Sequence, residues 1–118
     1  MYGLPIDFDG SFFIGRILEQ VCFAAYTMYL NFDGEIIISI EGSFSYIKNR
    51  QQNIEVVKVP VSKSDVLELI GRTVKEVVGK RDGTLTLKFD NKHEFICYDN
   101  SLNYESYHIQ NGNKRIVV

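Results

Sequence analysis

The sequence has no tryptophan and only two cysteines, two prolines and two histidines among its 118 residues. Because Cys22 and Cys97 do not form a C-x-x-C pair, neither a disulfide scaffold nor a cysteine-rich zinc site is expected. No apolar run approaches the roughly 20 residues of a membrane-spanning helix, and Asp7 and Asp9 stand where a signal peptide would carry basic residues. These absences predict a cytoplasmic protein that does not cross a membrane.

Positive charge is also scarce in the first part of the chain. Residues 1–44 contain six acidic groups and one arginine, giving −5, whereas residues 45–118 contain nine acidic and twelve basic groups, giving +3. With a net charge of −2, the chain lacks the basic balance that duplex DNA or an anionic membrane requires. The acidic first part either suits a basic protein partner or reflects no more than solvated strand faces and turns.

The sequence does contain an internal repeat. The chain length of 118 residues suits one domain with its own hydrophobic core. Ile14-Gly15-Arg16 recurs as Ile70-Gly71-Arg72, and after a one-residue offset the residues 28–33 match the residues 85–90. Apolar residues fall on apolar residues in this alignment. The sequence therefore predicts a single domain, residues 1–118, built by internal duplication.

Alternating apolar residues predict strands within each copy, because the side chains of a strand point to opposite faces in turn. Asp33-Gly34 and Asp90-Asn91 are typical of the tight turns between such strands. The predicted fold class is α+β and mainly antiparallel β, with two three-stranded meanders over about residues 14–46 and 70–110. The meander strands are expected at 16–23, 27–32, 35–41, 73–78, 84–89 and 93–98.

Further strands are expected at 44–47 and 54–59 beside the first copy and at 104–110 and 114–118 beside the second. One short helix, at about 63–70, is predicted to join the copies, because Ser62 and Asp65 have capping-box spacing and Gly71 can end the helix. The apolar run Ile36-Ile37-Ile38 indicates a strand that is covered on both sides. It leaves two arrangements open, one sheet or two sheets packed face to face.

The motifs that could carry chemistry are weak. Asp7-Phe8-Asp9-Gly10-Ser11 resembles a phosphatase nucleophile loop, but no alternating helices and strands surround it, so a solvated turn is expected. His93 and Cys97 share a strand face and, with Cys22, would supply part of a zinc site, although zinc usually needs three or four protein ligands. We interpret the chain as a non-enzyme without a cofactor or metal.

Surface aromatic residues are the remaining signal. Alternation puts Tyr104 and His108 on one face of a strand and Glu105 and Tyr107 on the other, so at least one ring is expected to meet solvent. Tyrosine suits protein-binding surfaces, although rings with hydroxyls that reach water can also complete a core. The candidate partner-binding residues are Glu35, Glu41, Tyr104, Glu105, Tyr107 and His108.

A family resemblance rests on I-G-R-x-L-E-Q-V-C at 14–22, on Ile40-Glu41-Gly42-Ser43-Phe44 and on Tyr104-Glu105-Ser106-Tyr107-His108-Ile109. With these motifs, over about residues 12–112, the chain resembles a bacterial family of small proteins of uncharacterised function. That family carries I-E-G-x-F in its first half and Y-E-S-W/Y-x-I near its end. Such families resemble the immunity proteins of bacterial polymorphic toxin systems, which bind and block a toxin domain. The resemblance implies no catalytic residues.

Three hypotheses for function follow. The first is a non-catalytic protein-binding module of the immunity type, whose partner is a toxin domain. The second is a small-ligand or enzymatic domain with a pocket between the repeats, in which His93, His108 or Asp99 takes part. The third is a homodimer that pairs through the exposed edge strand 114–118. Neither nucleic acid nor a membrane is expected as a partner.

Overall fold

The computed structural model describes residues 3–48, 56–59, 65–100 and 105–118. Two five-stranded antiparallel sheets make up most of this part of the protein. The first sheet has the strand order β1-β2-β3-β9-β10, and the second has the order β5-β4-β8-β7-β6. The strands are β1 (Leu18–Phe23), β2 (Met28–Phe32), β3 (Ile36–Ile40), β4 (Ser43–Ile47), β5 (Val57–Lys58), β6 (Val74–Gly79), β7 (Leu85–Phe89), β8 (Glu94–Cys97), β9 (Tyr107–Asn111) and β10 (Lys114–Val117).

Both predicted meanders are present. β1, β2 and β3 form the first, and β6, β7 and β8 form the second, with antiparallel pairing throughout. Of the two arrangements that the sequence left open, the structure has two sheets. The meander strands begin and end within two residues of the predicted bounds.

The strands that follow each meander are exchanged between the copies, which corrects the predicted neighbours. β4 was expected beside the first copy but pairs with β8 of the second, as Phe44 does with Cys97. β9 was expected beside the second copy but pairs with β3 of the first, as Ile109 does with Ile38. Alternation of side chains decides which face of a strand is buried, but it does not decide which strand lies alongside.

An approximate twofold relation between the copies centres on the antiparallel bridge between Ile17 and Thr73. Gly15 and Gly71 beside it have φ of +86° and +88°, a conformation that glycine adopts without strain. The bridge joins β1 of the first sheet to β6 of the second. The surrounding hydrogen bonds, from amide to carbonyl, are Gly15 to Val74 (2.8 Å), Gly71 to Leu18 (2.7 Å), Leu18 to Arg72 (3.0 Å) and Val74 to Arg16 (2.8 Å).

The one-residue offset between the copies arises in the first hairpin of each meander. Residues 24–27 connect β1 to β2, whereas the longer segment 80–84 connects β6 to β7. The next turns are alike again, because Glu35 and Lys92 occupy equivalent positions with φ of +62° and +67°. The sequence repeat is therefore also a repeat of backbone conformation.

The short helix predicted at about 63–70 is present as a 3₁₀ helix, so the α+β class fits the structure only loosely. The described residues form a 3₁₀ helix of five residues, Asp65–Leu69. Its buried side chains, Val66 and Leu69, are three residues apart, which matches the three residues per turn of a 3₁₀ helix. A segment of five residues is also too short to form a stable α-helix. Residues 60–64, including the predicted cap, lie outside the described residues. The fold is mainly antiparallel β.

A matching 3₁₀ helix, Ser11–Phe13, begins the first copy where the sequence predicts only a solvated turn. Phe13 and Leu69 are equivalent and fully buried, and their carbonyls accept hydrogen bonds from the amides of Arg16 and Arg72. The buried side chains of both sheets form one hydrophobic cluster. Within the described ranges, neither short helix is long and apolar enough to cross a membrane.

Candidate functional site

The structure distributes the predicted partner-binding residues over separate places. Glu35 is exposed in the turn between β2 and β3. Glu41 follows the opposite end of β3 and is close to the start of β9, because its amide donates to the carbonyl of Ser106 at 3.0 Å. Glu105 precedes that serine and is half-buried. Tyr104 lies outside the described residues.

Tyr107 lies in the core, which corrects its predicted place on a binding surface. Its side chain is fully buried, and its hydroxyl donates to the carbonyl of Gly83 at 2.6 Å. Burial raises the pKa of this hydroxyl, so it remains a protonated donor. The reason for the error is that β9 fills the position beside β3, where inward side chains meet the shared core.

His108, the next residue, is half-buried on the outer face of the first sheet, opposite Ser39 of β3. Its Nδ1 accepts a hydrogen bond from the guanidinium of Arg115, which can only donate. A neutral His108 therefore has its proton on Nε2. This buried nitrogen has no hydrogen-bond partner among the described residues.

The outer faces of the two meanders differ in charge at equivalent positions. On the second sheet Lys88 Nζ lies 3.6 Å from Glu76 Oε2, and Glu94 is the next charged side chain in the row. On the first sheet Asn31 Nδ2 donates to Gln20 Oε1 at 2.8 Å in the place of that ion pair. We call the outward residues of the first meander the uncharged face. Their pairing with the second meander is Gln20/Glu76, Cys22/Val78, Tyr29/Thr86, Asn31/Lys88, Ile37/Glu94 and Ser39/Ile96.

Acidic side chains lie at both ends of the uncharged face, and two basic side chains lie beside it, Arg16 against the Gly34 turn and Arg115 next to Gln110 of β9. Asp33 and Glu35 occupy the turn at one end of β3, and Glu41 and Glu105 lie at the other end. Glu19 is exposed along β1. Much of the acidity of the first part of the chain is thus arranged around a surface whose centre carries no formal charge.

A groove lies between the N-terminal segment and the last hairpin, with a volume of about 270 Å³. We call it the N-terminal groove. Two carboxylates, Asp7 and Asp9, and one ammonium group, Lys114, line its sides. The amide of Ser11 donates to Asp9 Oδ1 at 2.9 Å, which lowers the pKa of that carboxyl and keeps it ionised. The apolar lining consists of Pro5, Phe8, Phe12, Ile109 and Ile116.

At the second sheet a polar cluster occupies the place of this groove. Tyr46 corresponds to Ile109, because each pairs with the middle of the third meander strand, and Glu68 corresponds to Phe12. The Tyr46 hydroxyl oxygen lies 3.2 Å from Glu68 Oε2 and 2.6 Å from His93 Nδ1. We call the following residues the polar cluster: Tyr46, Lys48, Asp65, Glu68 and His93, in which Lys48 Nζ lies 2.7 Å from Asp65 Oδ2 and 3.6 Å from Glu68 Oε1.

Proton positions in the polar cluster follow from the donors and acceptors. Burial, assisted by the nearby Glu68 carboxylate, raises the pKa of Tyr46, so its hydroxyl is protonated. An ionised Glu68 only accepts, which directs the tyrosine proton to it. His93 must then donate from Nδ1 to the tyrosine oxygen. The cluster therefore fixes the orientation of the histidine ring through its Nδ1.

The residues of the weaker chemical hypotheses are separated from one another. Cys22 belongs to the uncharged face, whereas Cys97 is buried in the core, where burial raises the pKa of its thiol. Asp99 has structural contacts, because it accepts hydrogen bonds from the Gly3 amide at 2.7 Å and from Ser106 Oγ at 2.9 Å. Within the described ranges, no three potential metal ligands converge.

The fold and these surfaces define a class, an internally duplicated β protein whose two sheets exchange strands and differ in the charge of their outer faces. The chain belongs to DUF6188, a family of unknown function, whose family model matches residues 12–118. The match begins in the first 3₁₀ helix and includes both copies. It confirms the predicted membership of a family without a known function. No curated protein and no solved structure matches the chain.

Sequence reasoning missed both the N-terminal groove and the polar cluster. The groove depends on Phe8 and Phe12, within a segment that the sequence indicates to be a solvated turn. The density of phenylalanine at residues 8–13 is the available signal that this segment packs on the core. The cluster depends on β4 lying beside β8, which alternation alone does not predict.

Proposed function

We propose that this protein is a non-catalytic protein-binding module of the immunity type, which binds and blocks a toxin domain in the cytoplasm. The uncharged face is the observation that carries the proposal. Protein interfaces have a centre depleted of charged residues and a polar rim, and this face has both features. The second sheet provides an internal reference, because its charged residues on the same backbone indicate that the fold does not require an uncharged surface.

The acidic border supports a partner with a basic rim. Asp33 and Glu35 lie at one end of the face and Glu41 and Glu105 at the other, so a partner that covers the centre would meet carboxylates on both sides. Complementary charge of this kind mainly raises the association rate, and salt screens it. We expect the association rate to fall as the salt concentration rises, with a smaller change in the dissociation rate.

The experiment that tests the proposal transplants charge between the sheets. The triple variant Gln20→Glu/Asn31→Lys/Ile37→Glu gives the first meander the outward charges of the second. The matched control, Glu76→Gln/Lys88→Asn/Glu94→Ile, makes the reverse change on the second sheet. Each tagged protein is used to capture partners from a lysate of its own source cells, followed by mass spectrometry and by binding measurements with the purified partner.

The proposal expects one stoichiometric protein that the wild type and the control variant capture and the first-sheet variant does not. Placing charges in the centre of an interface leaves them desolvated and unpaired, so we expect a loss of at least about 100-fold in affinity. The partner should be toxic when expressed alone and harmless with the wild-type protein. Equal capture by both variants would place binding elsewhere.

Light scattering on the purified protein tests the remaining alternative. Among the described strands β10 stands at the edge of its sheet, although its Lys114 and Arg115 are typical of edges that avoid pairing. A homodimer that captures no other protein would contradict the immunity type and leave a self-assembling domain.

A further inference from the structure

The two copies fill the same corner of the fold in different ways. At the second sheet Tyr46 packs its ring against the core and turns its hydroxyl to Glu68 and His93. At the first sheet the shorter side chain of Ile109 stands in that position, and the N-terminal groove is open. An aromatic group with a polar end therefore has the shape that this corner accommodates.

The groove is preformed, because its main aromatic wall is held on both sides. The rings of Phe8 and Phe12 meet edge to face with centroids 6.4 Å apart. Gly10 and Gly79 allow the Phe8 ring to approach the backbone, since a Cβ atom at Gly79 would lie 2.8 Å from it. A ligand would find the apolar surface in place and would lose little free energy in ordering it.

The charge beside this apolar surface is mainly negative. Asp7 and Asp9 line the groove, and within the described part of the chain neither pairs with a basic side chain. The amide and the side chain of Ser11 both hydrogen-bond the Asp9 carboxylate, which still has lone pairs for a further donor. Lys114 balances only one of the two charges. An apolar cavity with a few convergent polar groups is the usual form of a small-molecule site.

We propose that the N-terminal groove binds a small amphipathic amine, with its apolar body on the phenylalanine and isoleucine floor and its ammonium group between Asp7 and Asp9. The volume of about 270 Å³ restricts the ligand to a single ring or a short chain. This site is separate from the uncharged face, so it stands or fails independently of the proposed function.

An NMR titration of the ¹⁵N-labelled full chain tests the proposal with three probes that share one ring. Phenethylamine carries a positive charge, 2-phenylethanol carries none, and 3-phenylpropionate carries a negative charge. We expect phenethylamine to shift the amides of Asp7, Asp9, Ile109 and Ile116 saturably. Its affinity should exceed that of the alcohol by about fivefold or more, because each exposed ion pair contributes a modest factor, and the carboxylate should bind most weakly.

Two variants separate the charge from the cavity. Asp7→Asn/Asp9→Asn should reduce the affinity for phenethylamine to that of the alcohol and leave the alcohol unchanged. Ile116→Phe should fill the groove and abolish binding of both, while a dispersed spectrum shows that the fold is retained. Asp82→Asn is the matched control, because Asp82 also accepts an amide hydrogen bond at 2.9 Å, from Thr84, but lies outside the groove.

Two results would overturn the proposal. Equal affinities for the amine and the alcohol, unchanged in Asp7→Asn/Asp9→Asn, would remove the role of the carboxylates. The absence of saturable shifts at the groove amides with every probe up to about 10 mM, an affinity so weak that no site is defined, would remove the site itself.

Discussion

The first and second copies of the repeat have similar residues where the backbone is constrained and different residues where side chains reach the surface or a corner. Gly15 and Gly71 have nearly the same φ, and Phe13 and Leu69 are both fully buried. The outward residues of the meanders differ instead, with an amide pair in one copy and an ion pair in the other. Residues that are alike in the two copies are therefore those that the fold requires. The outward residues that differ are not required by the fold.

The corner where each 3₁₀ helix meets the opposite hairpin shows the same contrast. One copy has an open apolar groove and the other has a tyrosine held by glutamate and histidine. Since both arrangements are compatible with the same backbone, neither is needed to form the sheets. The differences are therefore the places in which to look for binding.

The largest effect is expected at the shared core position. Phe13→Ala and Leu69→Ala should each lower the free energy of unfolding, by about 3–5 and 2–5 kcal/mol, because each leaves a cavity in one common core. Exchanged strands predict a single urea unfolding transition for both variants, followed by circular dichroism. The control Leu67→Ala, at a side chain that is 49% exposed, should change stability by less than about 0.5 kcal/mol. A biphasic curve would mean that the copies unfold independently.

A smaller loss is expected at the twofold bridge. Gly15→Ala and Gly71→Ala should each cost about 1–3 kcal/mol, because φ near +87° strains any residue with a Cβ atom, although neither added Cβ meets a neighbour within 4 Å. Asparagine tolerates positive φ better, so Gly71→Asn should cost less than Gly71→Ala. Thermal denaturation measures all three. Equal costs for asparagine and alanine would contradict backbone strain as the cause.

The polar cluster should contribute to stability in a pH-dependent way. Tyr46→Phe removes a hydroxyl bonded to two partners and should cost about 0.5–1.5 kcal/mol near neutral pH. The pKa of Tyr46 is raised above its ordinary value of 10.0, so its contribution is complete below pH 10.0 and is lost as the pH rises above it. Urea denaturation at neutral and at alkaline pH should therefore show a smaller difference between wild type and variant at alkaline pH. A constant difference would rule out this linkage.

The smallest effect on stability is expected from the outward pairs. Gln20→Glu/Asn31→Lys and Glu76→Gln/Lys88→Asn exchange an amide pair for an ion pair in opposite directions. Both pairs are solvent-exposed, so each double variant should stay within about 0.5 kcal/mol of the wild type. Added salt should lower the free energy of unfolding only for the proteins that contain an ion pair at these positions. A loss of several kcal/mol in either variant would indicate that these side chains serve the fold.

Much of the fold could be predicted from the sequence, because it depends on local patterns. Alternation in Leu85–Phe89 and the turn signals at Asp33-Gly34 gave strand bounds close to those observed. The expected membership of an uncharacterised family is also confirmed, whereas the individual motifs stay a prediction. The short helix was expected from a capping-box spacing and a terminating glycine, and these signals fit a short 3₁₀ helix as well as the start of an α-helix.

The exchange of strands could not be predicted, and the sites depend on it. Tyr46 and His93 are distant in sequence and meet only because β4 joins the second sheet. Tyr107 points inward because β9 joins the first. Alternation assigns a side chain to one face of a strand. Which other elements pack on that face depends on how all the strands are paired.

The exchange also has a consequence for how the protein is made. β3 pairs with β9, as Ile38 does with Ile109, so the edge of β3 that faces away from β2 has no partner until residues 107–111 have left the ribosome. Contacts between residues so far apart in sequence slow folding and leave apolar strands open to association in the meantime. A nascent chain that stalls before β9 would expose the four isoleucines of β3 along an unpaired edge. Synthesis rate and chaperone supply should therefore limit the yield of this protein more than the stability of the finished fold does.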